Sequence, residues 1–520
     1  MSELKYSVRS AAQYADSTFQ RIHILTTLVD PTLNEAQVPS WLDLDKSQDV
    51  IRLVHHDMIF ENQSVLPSFN SLAIESQLHH VPDITDVFLY LNDDVFLGTP
   101  ILPSDVWTSL YGFVFHMETN LLVNPQIHPV DETSFEIGEW NSLQYSNYLL
   151  SKKFGPRFRV YVAHIPHVLS VPILKEMQSI WPDEFATTSS HRFRGEGQAK
   201  DINVSFFMAH YVQERLRETQ LNSFWFHRLD ANEDGILDWD EREQFIQRIE
   251  TWNKKMESSS SSSPPTPPTP PPSSSSESSS ESSSESSSSI WSWDHRPQNG
   301  FQTFLKDAVD HLQSYGYEIS GSSVYRLSGQ DGYPFMLNNA TTTTSVGNLD
   351  KSTFTVDQET SLRSCHLNIE FCLGAHFTNK SFSELDTTSS SEIFHRLAHT
   401  EYHCGDCLLH MLRQTATEPG LASEILPLDK ESQAFKDVTA NLARYNYVIA
   451  SSNYSFLQLE DTLDTQKLLD GALKRKETDS FLCINDNIRN FPPIIAMVQD
   501  LFKEFLDTRF SIPSPWEKTA

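Results

Sequence analysis

A chain of 520 residues has room for two or three domains, or for one large α/β core carrying insertions. Its 38% hydrophobic and 11% aromatic content still allows a sizeable core, because a long serine-rich tract dilutes the average. With 39 basic against 69 acidic side chains the net charge is −30, which argues against nucleic acid as a partner and requires a metal or a few arginines wherever phosphate is held.

Taken in chain order, residues 4–14 read as an amphipathic helix, not as a signal peptide. RIHILTTLV (21–29) reads as a buried strand and VIRLVHH (50–56) as a second one, while FNSLAIESQLHHV (69–81) has helical spacing. VFLYLNDDVF (87–96) is an apolar strand that ends in two aspartates. This alternation predicts a parallel sheet covered by helices, with ligands beyond the carboxyl ends of the strands, where Asp93 and Asp94 fall. FRVYVAHIPHVL (158–169) starts as a strand and breaks at Pro166; helices are predicted over about 170–180 and 201–216. From Glu257 to Ser289 the chain is almost only Ser, Pro, Thr and Glu, a composition that cannot bury apolar surface and predicts a disordered linker. Residues 431–510 regain helical periodicity, interrupted by FLCINDN (481–487), which reads as a short strand and turn. No run approaches the roughly 20 apolar residues that span a bilayer. Five glycosylation sequons, at Asn62, Asn203, Asn339, Asn379 and Asn453, weakly favour a secretory lumen.

Three constellations carry chemistry. Asp230, Asn232, Asp234, Asp238 and Glu241 occupy positions 1, 3, 5, 9 and 12 of an EF-hand loop, with Gly235 at the sharp turn and the Ile236 carbonyl at position 7. The alternative is an acidic surface turn, and no second EF-hand is visible to pair with it. Asn92-Asp93-Asp94 follows a strand; such carboxylates can share a divalent cation that neutralises a pyrophosphate, or can simply cap a turn. His164-Ile-Pro-His167 precedes Ser190-His191-Arg192-Phe-Arg194 and Asp201. Histidine is a natural general base for a hydroxyl and arginine clamps phosphate, but lone histidines near strand ends are commonly structural, and spacing alone assigns no role.

Three segments resemble the Stealth family of sugar-1-phosphate transferases in the family's own order. They are LKYSVRSAAQYA through LYLNDDVFLGTP, then AHIPHVLSVPILKEMQSIWPDEF through FFMAHY, then FLCINDNIRNFPPIIAMVQDLF through FSIPSPWE. The family includes bacterial capsule hexose-phosphate polymerases, the alpha/beta subunit of lysosomal-enzyme N-acetylglucosamine-1-phosphotransferase and fungal xylosylphosphotransferases. An EF-hand between the third and fourth blocks matches the animal enzyme. The resemblance implies a GT-A-like nucleotide-sugar-binding α/β core with an inserted EF-hand and a disordered Ser/Pro linker. Its divisions fall at 1–125 and 126–220 for the two halves, 221–252 for the EF-hand, 253–295 for the linker, 296–430 for a cysteine-bearing insert and 431–520 for the C-terminal part.

The implied reaction moves a sugar-1-phosphate from a UDP-sugar to a hydroxyl of a mannose-containing glycan, with UMP leaving. A glycosyltransferase releasing UDP and a non-catalytic calcium-binding paralogue are the alternatives. Carried over residue by residue, His164 becomes the general base, Arg194 meets the phosphate in flight, and Asp93 and Asp94 position metal or acceptor. Asp201 orients Arg194, and Arg9, Asn92, His191, Asn485 and Asp486, with Asn487, border the substrates. Implied cofactors are Ca2+ at the EF-hand and Mg2+ or Mn2+ at the donor site. Implied partners are the UDP-sugar, a glycan or glycoprotein acceptor and a second copy of the chain, in a Golgi membrane or lumen. The family's first strand, roughly Val-Tyr-Thr-Trp-Val-Asp-Gly, and the eukaryotic anchor before it have no counterpart here, so an incomplete gene model is expected in preference to a degenerate paralogue. Cys365, Cys372, Cys404 and Cys407 form two close pairs suited to two disulfides or to one zinc site, with Cys483 left over.

Overall fold

The computed structural model describes residues 3–30, 35–125, 139–196, 200–260, 301–332, 340–341, 355–356, 365–382, 384–417, 420–486, 488 and 491–519. Helix α1 (Glu3–Tyr14) leads into β1 (Ile22–Thr26) and β2 (Ile51–His55), which pair in parallel. Only Ile24 of β1 is buried, so this strand is a half-covered edge pair and not the buried strand its apolar run suggests. The helical spacing after residue 69 yields just five residues, α2 (Ser71–Glu75), capped by Asn70 through the Leu72 amide.

β3 (Val87–Tyr90) stops at the Asn92-Asp93-Asp94 turn and the chain resumes as β4 (Val95–Leu97). The long β5 (Gly112–Val123) is followed by α3 (Glu139–Phe154), β6 (Arg159–Val162) and β7 (His167–Ser170). Pro166 sits in the break between the last two strands. α4 (Val171–Ile180) and α5 (Pro182–Ser190) each begin with a proline in the first turn, where its missing N–H costs no hydrogen bond. α6 (Val204–Phe224) is buried around most of its circumference, and Asn203, one of the five sequons, is itself buried as its cap.

A π turn over Trp225–Leu229 delivers the acidic loop, β8 (Leu237–Asp238) and α7 (Trp239–Ser260). The chain is helical to Ser260, past the residue 253 at which a linker is expected, and the rest of the tract lies outside the described residues. Trp252 and Asn253 explain this, since they hydrogen-bond to the carbonyls of Cys365 and Leu367 and hold the helix down.

β9 (Val324–Ser328) returns to the main sheet. α8 (Ile369–Leu373), α9 (Ala375–Thr378), β10 (Glu384–Leu385), α10 (Thr387–His395) and α11 (Tyr402–Thr415) follow. The four cysteines form two disulfides, Cys365–Cys407 and Cys372–Cys404, which join this segment to α11 and leave no thiolate for zinc. Last come β11 (Tyr447–Ser451), β12 (Tyr454–Gln458), α12 (Thr462–Lys474), β13 (Phe481–Asn485) and α13 (Pro492–Arg509).

The sheets are mixed where one parallel sheet was expected. β11 runs parallel to β5 and antiparallel to β9, while β6 pairs antiparallel with β5. β12 and β13 are parallel, β13 and β4 antiparallel, and β7 antiparallel to β3. These pairings are long-range: β13 joins β4 from the far end of the chain, and β7 joins β3 across the whole of β5 and α3. The largest hydrophobic cluster runs from Ala15 to Phe481 and draws on both ends of the chain.

Candidate functional site

The strand pairings bring the aspartate turn, the histidine pair and the C-terminal strand to one place. In the turn, the Val95 amide donates to the Asn92 carbonyl, and the Asp94 carbonyl accepts from the Ile484 amide of β13. Cys483 lies opposite Val95 across the β13–β4 ladder, and opposite Phe456 across β12. His167 lies opposite Tyr90, which sets the His164–His167 pair beside the end of β3. The result is a cluster in which ligand atoms of Asp94, His164 and Cys483 lie within 4.8 Å of one another. The His164 ring meets those of Phe456 and His167 edge-on, with centroids 5.7 and 6.4 Å away.

The electrostatics mark this as a place of uncompensated negative charge. Burial raises the Asp94 carboxyl above its ordinary range; His164 opposes the rise and Asp93 adds to it. One oxygen of Asp94, Oδ1, is buried with no hydrogen-bond partner among the described residues. Glu3, at the start of α1, is pushed up to about 7 by burial and then by Asp486, Asp93 and Asp94. Four carboxylates from three distant parts of the chain thus crowd one edge. Glu118 on β5 is raised by burial, and both its hydrogen bond with Tyr454 and the nearby His164 oppose the rise. His167 is drawn down to about 3 by burial and by His164 and His116, so it is neutral. Glu3, Glu118 and Cys483 gave no signal in the sequence, because nothing in their local spacing connects them to the aspartate turn.

A second group stands one short helix away. Asp201 is almost fully buried; its Oδ1 lies 2.5 Å from His191 Nδ1 and its Oδ2 accepts from Asn70 at 3.1 Å. It therefore positions His191 and not Arg194, which corrects the role expected for it. Arg194 is exposed and donates to Ser71 Oγ at 2.5 Å. Ser71 opens α2 and Glu75 closes it; Glu75 accepts from the Tyr90 hydroxyl, which also donates to Asn92. At about 1.5 Å rise per residue, Ser71 and Glu75 lie roughly 6 Å apart along the axis of that helix.

The other expected residues divide. Asn485 ends β13 and the exposed Asp486 follows it, at the carboxylate edge. Asn487 lies outside the described residues. Arg9 does not face the site. Its Nε and Nη2 donate to the two carboxylate oxygens of Glu517 and its Nη1 to the Phe510 carbonyl, so it locks α1 to the C-terminal segment.

The acidic loop at 230–241 closes on itself through its own side chains. Gly235 turns with φ +80°, and its amide donates to Asp230 Oδ2. Glu241 reaches back to the Ala231 and Asp238 amides, and Asp234 accepts from the Ile236 amide. Asp230 is 3% exposed, and its Oδ1 has no partner among the described residues.

Three conserved regions of the Stealth family match the chain in order: Stealth protein CR2 over residues 1–114, CR3 over 163–214 and CR4 over 472–520. The chain is an α/β protein whose three matched regions, each similar to a Stealth conserved region, meet at one carboxylate–histidine edge. Among its relatives is an exopolysaccharide phosphotransferase of Streptomyces coelicolor, 32% identical over 209 residues, covering 40% of this chain and 32% of that protein. The exopolysaccharide phosphotransferases of Nocardia farcinica and, named CpsY, of Mycobacterium leprae are each 32% identical over 211 residues. Those two matches cover 41% of this chain and 38% and 35% of the relatives. The matches span about a third of the relatives' length. Among the described residues no helix is long and apolar enough to cross a membrane.

Proposed function

We propose that this chain is a sugar-phosphate transferase that moves a sugar-1-phosphate from a UDP-sugar to a glycan hydroxyl. Support comes from the three matched Stealth regions, from relatives named exopolysaccharide phosphotransferases, and above all from one observation. His164 lies beside Asp94, a carboxylate raised by burial whose Oδ1 has no partner among the described residues, at the end of a strand. In the proposed step the acceptor oxygen attacks the sugar-linked β-phosphorus. Its proton passes to His164, the bond from that phosphorus to the bridging oxygen breaks, and UMP leaves. Phosphoryl transfer of this kind depends on positioning and charge neutralisation. Arg194 meets the phosphate oxygens, Asp201 fixes His191 beside them, and Glu118 sets a carboxyl near His164.

The oxygen donors of Asp94, Asp93, Glu3 and Asp486 suit Mg2+ or Mn2+, which would neutralise the pyrophosphate when bound. A GT-A-like donor half, a mannose-containing acceptor, a homodimer and a Golgi setting follow from the resemblance alone. The 230–241 loop is proposed to take Ca2+, on the strength of the buried, unpartnered Asp230 Oδ1.

The test is nucleotide release from UDP-xylose and UDP-N-acetylglucosamine with Mn2+ or Mg2+ and an α-mannoside. UMP together with an acid-labile sugar-phosphate product is the expected result. UDP would make the chain a glycosyltransferase, and near-normal turnover in His164→Ala and Arg194→Ala would overturn the residue roles.

A further inference from the structure

The acidic loop has a companion that its own sequence does not announce. β8 pairs antiparallel with β10, Leu237 opposite Leu385 and Asp238 opposite Glu384. The two sides of this small ladder are built alike. β8 lies between α6 with its π turn and α7; β10 lies between the α8–α9 pair and α10. Leu237 and Leu385 are 1% and 4% exposed and share one cluster with Trp225, Phe245, Phe377 and Phe394, drawn from both sides.

Further contacts cross between the halves. Arg242, which follows the last loop ligand, is fully buried and donates to the carbonyls of His376, Phe377 and Phe382. The Thr387 hydroxyl donates to the Gly235 carbonyl at 3.0 Å, and the Trp225 indole to Ser390 Oγ at 3.0 Å.

Giving Leu385 the eighth position that Leu237 holds puts Thr378, Lys380, Phe382, Asp386 and Ser389 at positions 1, 3, 5, 9 and 12. Lysine is a cation and phenylalanine has no oxygen, so this loop cannot coordinate calcium. Asp386 is committed elsewhere, capping α10 through the Ser389 amide at 2.8 Å. The side that lacks ligands has a different fastening: Cys372–Cys404 and Cys365–Cys407 tie it to α11.

We propose that residues 369–395 are the cation-free half of an EF-hand pair and that their pairing with β8 sets the calcium affinity of the 230–241 loop. The ladder and the Arg242 and Thr387 contacts hold the loop near its bound shape before the ion arrives, which lowers the ordering cost of binding. By linkage, the ion strengthens the ladder in return. The inference rests on the calcium reading of the loop, and the two can fail separately.

The experiment is calorimetric calcium titration of the full chain, with amide exchange followed by mass spectrometry. One ion abolished by Glu241→Gln is expected. Leu385→Asp and the milder Thr387→Val should weaken that ion, the former by about tenfold or more. Calcium should slow amide exchange across 384–395 in the unaltered chain, a readout that stands even if Leu385→Asp does not fold. No ion lost in Glu241→Gln would sink the calcium reading itself. Calcium bound as expected, with exchange across 384–395 unchanged and Thr387→Val at full affinity, would overturn the pairing alone. A residual ion removed by Asp386→Asn would overturn the claim that the second half is cation-free.

Discussion

Two groups of carboxylates in this protein meet opposite fates. Under α6, Glu214 and Asp406 are buried among arginines. Asp406 bonds Arg157 at 2.9 Å and Arg217 at 2.5 Å, and Glu214 bonds Arg159 at 2.7 Å. Burial alone would raise Glu214, but Arg157, Arg159 and Arg217 outweigh it and hold it at about 2. At the strand edge, by contrast, Glu3 and Asp94 are pushed up by burial and by neighbouring carboxylates, and no arginine among the described residues offsets them. Where the fold supplies the counter-charge, a carboxylate is structural. Where it does not, the missing positive charge is what a cation or a proton-bearing group has to bring, and that marks the reactive edge.

The contrast can be broken most sharply at His164. His164→Ala is expected to lower turnover by about 10²–10⁴-fold with little change in melting temperature, measured by product formation and by thermal unfolding. Next in size, Asp406→Ala removes one charged partner from each of two buried guanidinium groups and should cost about 3 kcal/mol in denaturant unfolding. A variant within 1 kcal/mol of the parent would show that the arginine network is not what the burial implies.

A smaller effect tests the lock between α1 and the C-terminal segment. Burial raises Glu517, yet the Arg9 and Ser514 hydrogen bonds bring it down to about 2 from its ordinary 4.5. A depressed carboxyl stabilises the fold above the ordinary value, and that contribution is lost as pH falls from about 4.5 towards 2. Melting temperature followed over that window should drop, and Glu517→Gln should flatten the slope while lowering stability at pH 7. The smallest effect has the opposite sign. Because Asp94 is charged against its environment, Asp94→Asn should keep or slightly raise stability, by less than about 1 kcal/mol in metal-free buffer, while turnover falls.

How much of this was legible beforehand follows from how far apart the partners lie in the chain. The loop at 230–241 keeps its hydrogen-bonding side chains within twelve residues, so its turn could be read directly, as could the break of β3 at the aspartates. The mixed sheets could not, because the pairing of β4 with β13 joins Val95 to Cys483 and nothing near either residue records it. The same distance hid Glu3 and Glu118 from the site. It also misled the reading of Arg9, whose partner Glu517 lies at the other end of the chain. Asp201 was placed in the right neighbourhood but given the wrong partner, since only the fold of Asn70 over it shows that His191 fills its reach. The pairing of Leu237 with Leu385 was illegible for another reason: residues 378–389 carry lysine and phenylalanine where a calcium loop would carry oxygen ligands.

α6 bears on how the two halves of the molecule can communicate. Its 21 residues make a rod of about 31 Å, with Asp201 just before one end and the acidic loop just past the other. Across that span two unit charges interact by only about 0.5 kcal/mol at the effective dielectric of roughly 20 that suits buried sites. A charge arriving at the loop is therefore electrically faint at Asp201. What it can transmit is mechanical: a push, a twist or a stiffening of the rod, delivered where Asp201 fixes His191.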